Sequence, residues 1–220
     1  MDNYVIVVFA CLVLSFILLL PMMSLEDKFI NITFKAFILF GIIRYISLFI
    51  FYSADSPKYI YNMRYFPNIS LITILAIGYI MIFYIVKRSF KIADFFILAS
   101  IVFLGAYIVY NLPIGISNSD LGYILIENKQ WIYIESIFTM VVSVILIAIS
   151  LKMFANIKEI KSKISLLMIS ISFLVVVAER GLDIMNKELF HFNVLSDLTS
   201  LIAFTLIIIM NLIGKNKQNS

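Results

Sequence analysis

Residues 67–110 read PNISLITILAIGYIMIFYIV-KRSFK-IADFFILASIVFLGAYIVY. Residues 67–86 carry no charge. They are followed by five residues containing Lys87, Arg88 and Lys91, and then by residues 92–110, where Asp94 is the one charged group. At about 1.5 Å of rise per residue, a run of roughly 20 apolar residues crosses about 30 Å of hydrocarbon. The runs are continuous rather than alternating, which implies helices, because a barrel strand in lipid would alternate. The stretch therefore predicts two antiparallel spanning helices joined by a tight basic turn.

Five more runs of this kind lie outward from it, which gives spans at 4–23, 34–52, 67–86, 92–110, 131–151, 164–185 and 194–213. The whole chain, 1–220, reads as one domain: an all-α integral membrane protein, a bundle of seven transmembrane helices. Composition agrees. Of the residues 63% are hydrophobic and 14% charged, against roughly 45–50% and 25% in soluble domains. A water-soluble chain of this size cannot bury so much apolar surface, so the lipid bilayer is its solvent and its first partner. The first run lacks a basic segment before it, since Asp2 is the charge there, and it ends in Leu-Pro-Met-Met-Ser without a small-residue cleavage pattern. It reads as a retained helix.

Basic residues set the orientation. Eleven fall in one set of loops: Lys28, Lys35, Lys87, Arg88, Lys91, Lys152, Lys158, Lys161, Lys163, Lys215 and Lys217. Four fall in the other: Lys58, Arg64, Lys129 and Lys187. The richer side is cytoplasmic by the positive-inside rule. The N-terminus is then outside, the C-terminus is cytoplasmic, and the segments around Asp55, Asp120 and Lys187 are outside. Tyr52, Tyr59, Tyr61, Tyr65 and Phe66, with Trp131 and Tyr133, gather at outer span ends and read as interface anchors ahead of an aromatic ligand cage. The segment 111–130 reads as a long outer loop with turn residues Pro113, Gly115 and Gly122. The segment 152–163 reads as an interfacial basic stretch that extends the fifth or sixth span over anionic headgroups. Ser100, Ser143, Ser150, Ser170 and Ser172, with Gly41, Gly78 and Gly105, read as aids to helix packing.

Charges inside the spans are the candidate site. A central ionisable group costs at least about 2.5–3.5 kcal/mol on insertion scales, so it faces protein or water and has a partner. Arg44 lies near the middle of the second span. Glu135 lies one turn inside the outer end of the fifth, Glu179 and Arg180 in the outer third of the sixth, and Asp197 one turn inside the outer end of the seventh. Asp183 shares a helix face with Glu179 and Arg180, and it is expected near water, as is Glu135. Asp94 is expected in a first helical turn, where the helix dipole favours it. The pattern predicts an outward-facing polar cavity walled by the second, fifth, sixth and seventh spans, with Arg44, Glu135, Glu179, Arg180 and Asp197 as ligand-binding residues. An ion-pair network that pins the bundle explains the same residues, and both readings stay open.

Several chemistries lack their residues. Cys11 is the single cysteine and His191 the single histidine. That excludes an internal disulfide, a cysteine metal cluster, a histidine-rich metal site and a bis-histidine haem. No Walker, dinucleotide or nucleophile-elbow motif occurs, so no catalytic residue, metal or cofactor is expected. No basic patch interleaved with aromatics points to nucleic acid. The last span, 194–213, has no lysine for a retinal Schiff base.

The seventh span opens Asp197-Leu198-Thr199, followed by Leu201, Ala203 and Phe204. Asn111-Leu112-Pro113 precedes a long outer loop, and Trp131 and Tyr133 open the fifth span. These features resemble the N-terminal seven-helix sensor region of membrane histidine kinases, in which an Asp-Leu-Thr-Pro-Leu-type segment opens the last helix. Ser200 stands where that family tends to have proline. Few residues, Lys215 to Ser220, are read after the seventh span, so no output domain is expected to follow it. The resemblance implies a sensory, receptor-like module that signals through a separate membrane or cytoplasmic partner. A small-solute or ion transporter or channel is the alternative, with a structural subunit of a larger complex behind it.

Overall fold

The computed structural model describes residues 2–20, 28–53, 60, 61, 63–87, 91–111, 114–119, 122–127, 129–185 and 193–216. Seven helices run through them: α1 Asp2–Leu19, α2 Lys28–Ser53, α3 Ser70–Val86, α4 Ile92–Asn111, α5 Lys129–Asn156, α6 Ile160–Ile184 and α7 Val194–Asn216. Six are long and apolar enough to cross a membrane. The apolar part of α1, Asn3–Leu19, is shorter than a full span within the described residues.

Helix ends follow local chemistry. A 3-10 turn, Phe66–Ile69, precedes α3 with Pro67 at its start, where a missing N–H costs nothing. Lys87 ends α3 in the left-handed region at φ 51°, and its N–H reaches back to the Phe83 and Tyr84 carbonyls. Asp94 sits in the first turn of α4 and accepts the Lys91 backbone N–H at 2.9 Å, so the helix dipole and the capping bond both favour it there. Asn193 precedes α7 at φ 53°.

Two expectations change. The segment 152–163 is helical except for residues 157–159, so both α5 and α6 extend beyond their apolar runs. Charged residues end a hydrophobic run but not a helix, and Lys propagates helix well. Glu159 caps α6 in an extended conformation, and its Oε2 accepts the Ser162 hydroxyl at 2.9 Å. Ser162 Oγ also lies 3.4 Å from the Ile85 carbonyl oxygen, which places this turn beside the end of α3. The second change concerns the segment 111–130. It holds an antiparallel hairpin, β1 Ile114–Ser119 and β2 Gly122–Glu127, with Ser119 opposite Gly122. The all-α description therefore holds for the helical body, and this hairpin is added to it. Gly115 and Gly122 lie in strands rather than turns. Alternating Ile114 and Ile116, then Ile124 and Ile126, supply the β-branched period of two.

The core is built around α3. Of its apolar window 78% is buried, against 33% for α4 and 28% for α5, so α3 is central and those two lie on the rim. It packs against α2, α4, α5, α6 and α7, and a helix enclosed on all sides is apolar all round. Gly78 is needed here, since a methyl group would overlap the Phe173 ring of α6. At Gly105 a methyl would come within 2.8 Å of Ile72 Cγ1, whereas at Gly41 it would only reach ordinary contact with Tyr45. The most extensive pairing is α5 with α6. Ser136, Ser143 and Ser150 recur every seventh residue on α5, as do Ser165 and Ser172 on α6, and all are buried. Small side chains at heptad spacing let two backbones approach closely. Ser100, by contrast, is exposed on α4.

The outer surface is apolar and the interior holds the charges. Phe103, Tyr107 and Tyr110 of α4, Ile137, Val141 and Val144 of α5, and Ile171 and Leu174 of α6 are exposed. Arg44, Glu135, Glu179, Arg180 and Asp197 are buried. Water would solvate the opposite arrangement. The protein is a multi-pass α-helical membrane protein, in keeping with the cell membrane as its location.

Candidate functional site

Arg44 projects from the middle of α2 and is 1% exposed. Its Nη1 pairs with Asp197 Oδ2, and its Nε donates to the Pro67 carbonyl at 2.6 Å. One guanidinium thus joins α2 to the first turn of α7 and to the turn that leads into α3. Tyr45, the next residue, donates its hydroxyl to the same Asp197 oxygen at 3.1 Å. Asp197 gains further from its place in the first turn of α7, where unpaired N–H groups present partial positive charge. From the other side Cys11 of α1 points its thiol at the Val194 carbonyl, 3.9 Å away. Cys11 is therefore packed at the junction of α1 and α7.

A second group lies between α5 and α6. Arg180 Nη1 is 2.9 Å from Glu135 Oε1 and 3.5 Å from Asp183 Oδ2, with all three side chains buried. The Arg180–Asp183 pair follows from the three-residue spacing. Glu135 and Asp183, expected near water, are enclosed by protein at 4% and 8% exposure. The neighbouring helices cover these helix ends, and an apolar run read alone does not reveal that cover.

Glu179 bridges the two groups. Its Oε2 accepts the Ser196 backbone N–H at 2.8 Å, so a carboxylate from α6 satisfies one of the donors that open α7. Asp197 and Arg180 both act on it electrostatically. Its Oε1 has no hydrogen-bond partner among the described residues, and neither do Ser136 Oγ nor Ser200 Oγ.

All five sequence candidates, Arg44, Glu135, Glu179, Arg180 and Asp197, thus gather in one buried layer, with Asp183 as a sixth member. They meet mostly as pairs. Within this layer two guanidinium groups face four carboxylates. Tyr45, Ser196 and the Pro67 carbonyl complete the layer and were not singled out by sequence. Tyr45 and Ser196 each adjoin a charged candidate, and that adjacency is the signal that points to them.

Elsewhere, Arg64 lies 3.8 Å from the Tyr61 ring centroid and 4.5 Å from that of Tyr65. It donates to the Tyr61 carbonyl at 2.8 Å and to the Tyr65 hydroxyl at 2.9 Å, and Tyr65 stacks on Tyr110. The chain's own Arg64 occupies these rings. Tyr59, Asp55, Asp120, Lys187 and His191 lie outside the described residues. Among the described residues no group of three or more His, Cys, Asp or Glu is arranged to hold a metal ion. Comparison with known proteins finds no matching family model, no matching curated protein and no matching solved structure.

Proposed function

We propose that this protein is a sensory, receptor-like membrane module with seven spans, its N-terminus outside and its C-terminus in the cytoplasm. The buried charged layer receives a ligand in the outer half, and a membrane or cytoplasmic partner reads the inner turns. The observation that carries the reading is the attachment of α7. Its first turn is held by Arg44 and Tyr45 from α2 and by Glu179 from α6. A ligand that competes for Arg44 or Asp197 has different contacts in the attached and released states, which is what a population shift requires. The Asp197-Leu198-Thr199 segment that carries the likeness to histidine-kinase sensor regions is the one so held, which supports the same reading.

The test uses the full chain in lipid nanodiscs. Lys158→Cys at the turn between α5 and α6 reports accessibility to a water-soluble thiol reagent, with and without Arg44→Leu. Release of α7 should change the labelling rate several-fold. An unchanged rate in a folded variant removes the coupling on which the sensory reading depends.

A further inference from the structure

We infer that Glu179, buried where α6 meets the start of α7, holds one small monovalent cation, a proton or an alkali-metal ion. The inference rests on reading the charged layer as a ligand site, and it names the chemistry of that ligand.

Charge is the first support. The layer holds Arg44 and Arg180 against Glu135, Glu179, Asp183 and Asp197. Arg44 is committed to Asp197, and Arg180 to Glu135 and Asp183. Among the described residues no guanidinium or ammonium group lies at ion-pair distance from Glu179. The start of α7 offers only about half a positive charge, and Asp197 shares it. Buried charge without compensation is strongly disfavoured, so Glu179 calls for a positive charge of its own.

Geometry is the second and independent support. Glu179 is 2% exposed and one of its oxygens, Oε1, has no partner. Two completely buried hydroxyls, Ser136 and Ser200, also lack partners. Ser136 follows Glu135, which pairs with the residue next to Glu179. Ser200 lies one helical turn beyond Ser196, whose N–H Glu179 already accepts. Each hydroxyl can donate or accept. A proton on Oε1 would remove the uncompensated charge and turn an orphan acceptor into a donor. Carboxylate and hydroxyl oxygens are the ligand type that a hard alkali cation prefers. A single carboxylate without its own counter-charge matches one positive charge.

The charged groups that act on Glu179 are Arg180 from α6 and Asp197 from α7, and Glu135 from α5 and Asp183 from α6 stand behind Arg180 as its partners. Arg44 and Tyr45 of α2 stand behind Asp197, and Tyr4 and Cys11 of α1 lie within electrostatic reach of it.

The experiment is thermal unfolding of the full chain in nanodiscs, in two arms. In one, sodium or potassium chloride replaces choline chloride at constant ionic strength and pH. In the other, pH is lowered in choline chloride alone. The wild type should gain about 5 °C in at least one arm, the scale set by saturating a site that only the folded state possesses. The responding arm tells an alkali ion from a proton. Glu179→Gln should abolish the gain. Should that variant fail to fold, Glu179→Asp, which keeps the charge and shortens the reach, should move the midpoint of the response about tenfold. A wild type that responds in neither arm overturns the inference, as does a Glu179→Gln that keeps the full response or a Glu179→Asp with an unchanged midpoint. None of these readouts involves signalling. Failure here with intact coupling to the inner turns leaves the sensory reading standing with another ligand, and the reverse outcome leaves a cation site without a sensor.

Discussion

Arg44 and Asp197 lie 153 positions apart in sequence and form a buried ion pair that ties the middle of α2 to the first turn of α7. Neither side chain reaches water, so each depends on the other. Removing one member of such a pair leaves an unpaired buried charge, which costs about 3–5 kcal/mol, whereas replacing both with apolar groups is often neutral. Arg44→Leu and Asp197→Leu should each lower the unfolding temperature substantially, and the double variant should recover most of the loss. A double-mutant cycle by thermal or denaturant unfolding checks this. Simple additivity of the two losses would mean that the pair is not coupled.

Gly78 is set by the Phe173 ring of α6, which stands where a methyl group would go. Gly78→Ala should cost about 1–3 kcal/mol through overpacking. Gly41→Ala, on an uncrowded face of α2, should change stability by less than about 0.5 kcal/mol. Unfolding of the two variants side by side decides whether α3 and α6 pack this closely.

Orientation has a direct check. Lys158 in the turn between α5 and α6, and Ser53 at the end of α2, are both exposed. In a Cys11→Ala background, Lys158→Cys should react with a membrane-impermeant thiol reagent only from the cytoplasmic side, and Ser53→Cys only from outside. Labelling of both from one side would overturn the proposed orientation.

Under the proposed orientation and function, the inner ends of the helices form no conduction path. Residues 206–210 of α7 carry no charge, and Ser165, Ser170 and Ser172 of α6 are buried in helix packing. Proteoliposomes containing the protein should therefore show no sodium, potassium or proton flux above empty liposomes. A flux abolished by Glu179→Gln would replace the sensory reading with a transporter.

Apolar runs located the seven long helices among the described residues, because length and continuity are what a bilayer demands of a spanning segment. They located the ends less well. Lys152, Lys161 and Lys163 closed the predicted spans, yet all three lie within α5 or α6, since a hydrophobic run measures the lipid slab rather than the helix. The hairpin of β1 and β2 was hidden by Pro113, Gly115 and Gly122, which read as turn residues although isoleucines alternate through it. Charge within apolar runs was enough to pick out the charged members of the buried layer. Partners were not legible. That Arg44 meets Asp197 while Arg180 takes Glu135 depends on how α2, α5, α6 and α7 pack, as does the cover over Asp183.

The central claim is that the charged layer at the start of α7 governs the arrangement of the inner turns. Its most direct test is the spin-label distance between Lys87→Cys and Lys158→Cys in nanodiscs, in a Cys11→Ala background, with Asp197 intact and with Asp197→Asn. Freed from its charge pair, α7 should shift against α2 and α6, and the distance distribution should move or broaden. Superimposable distributions from two folded samples would contradict the claim.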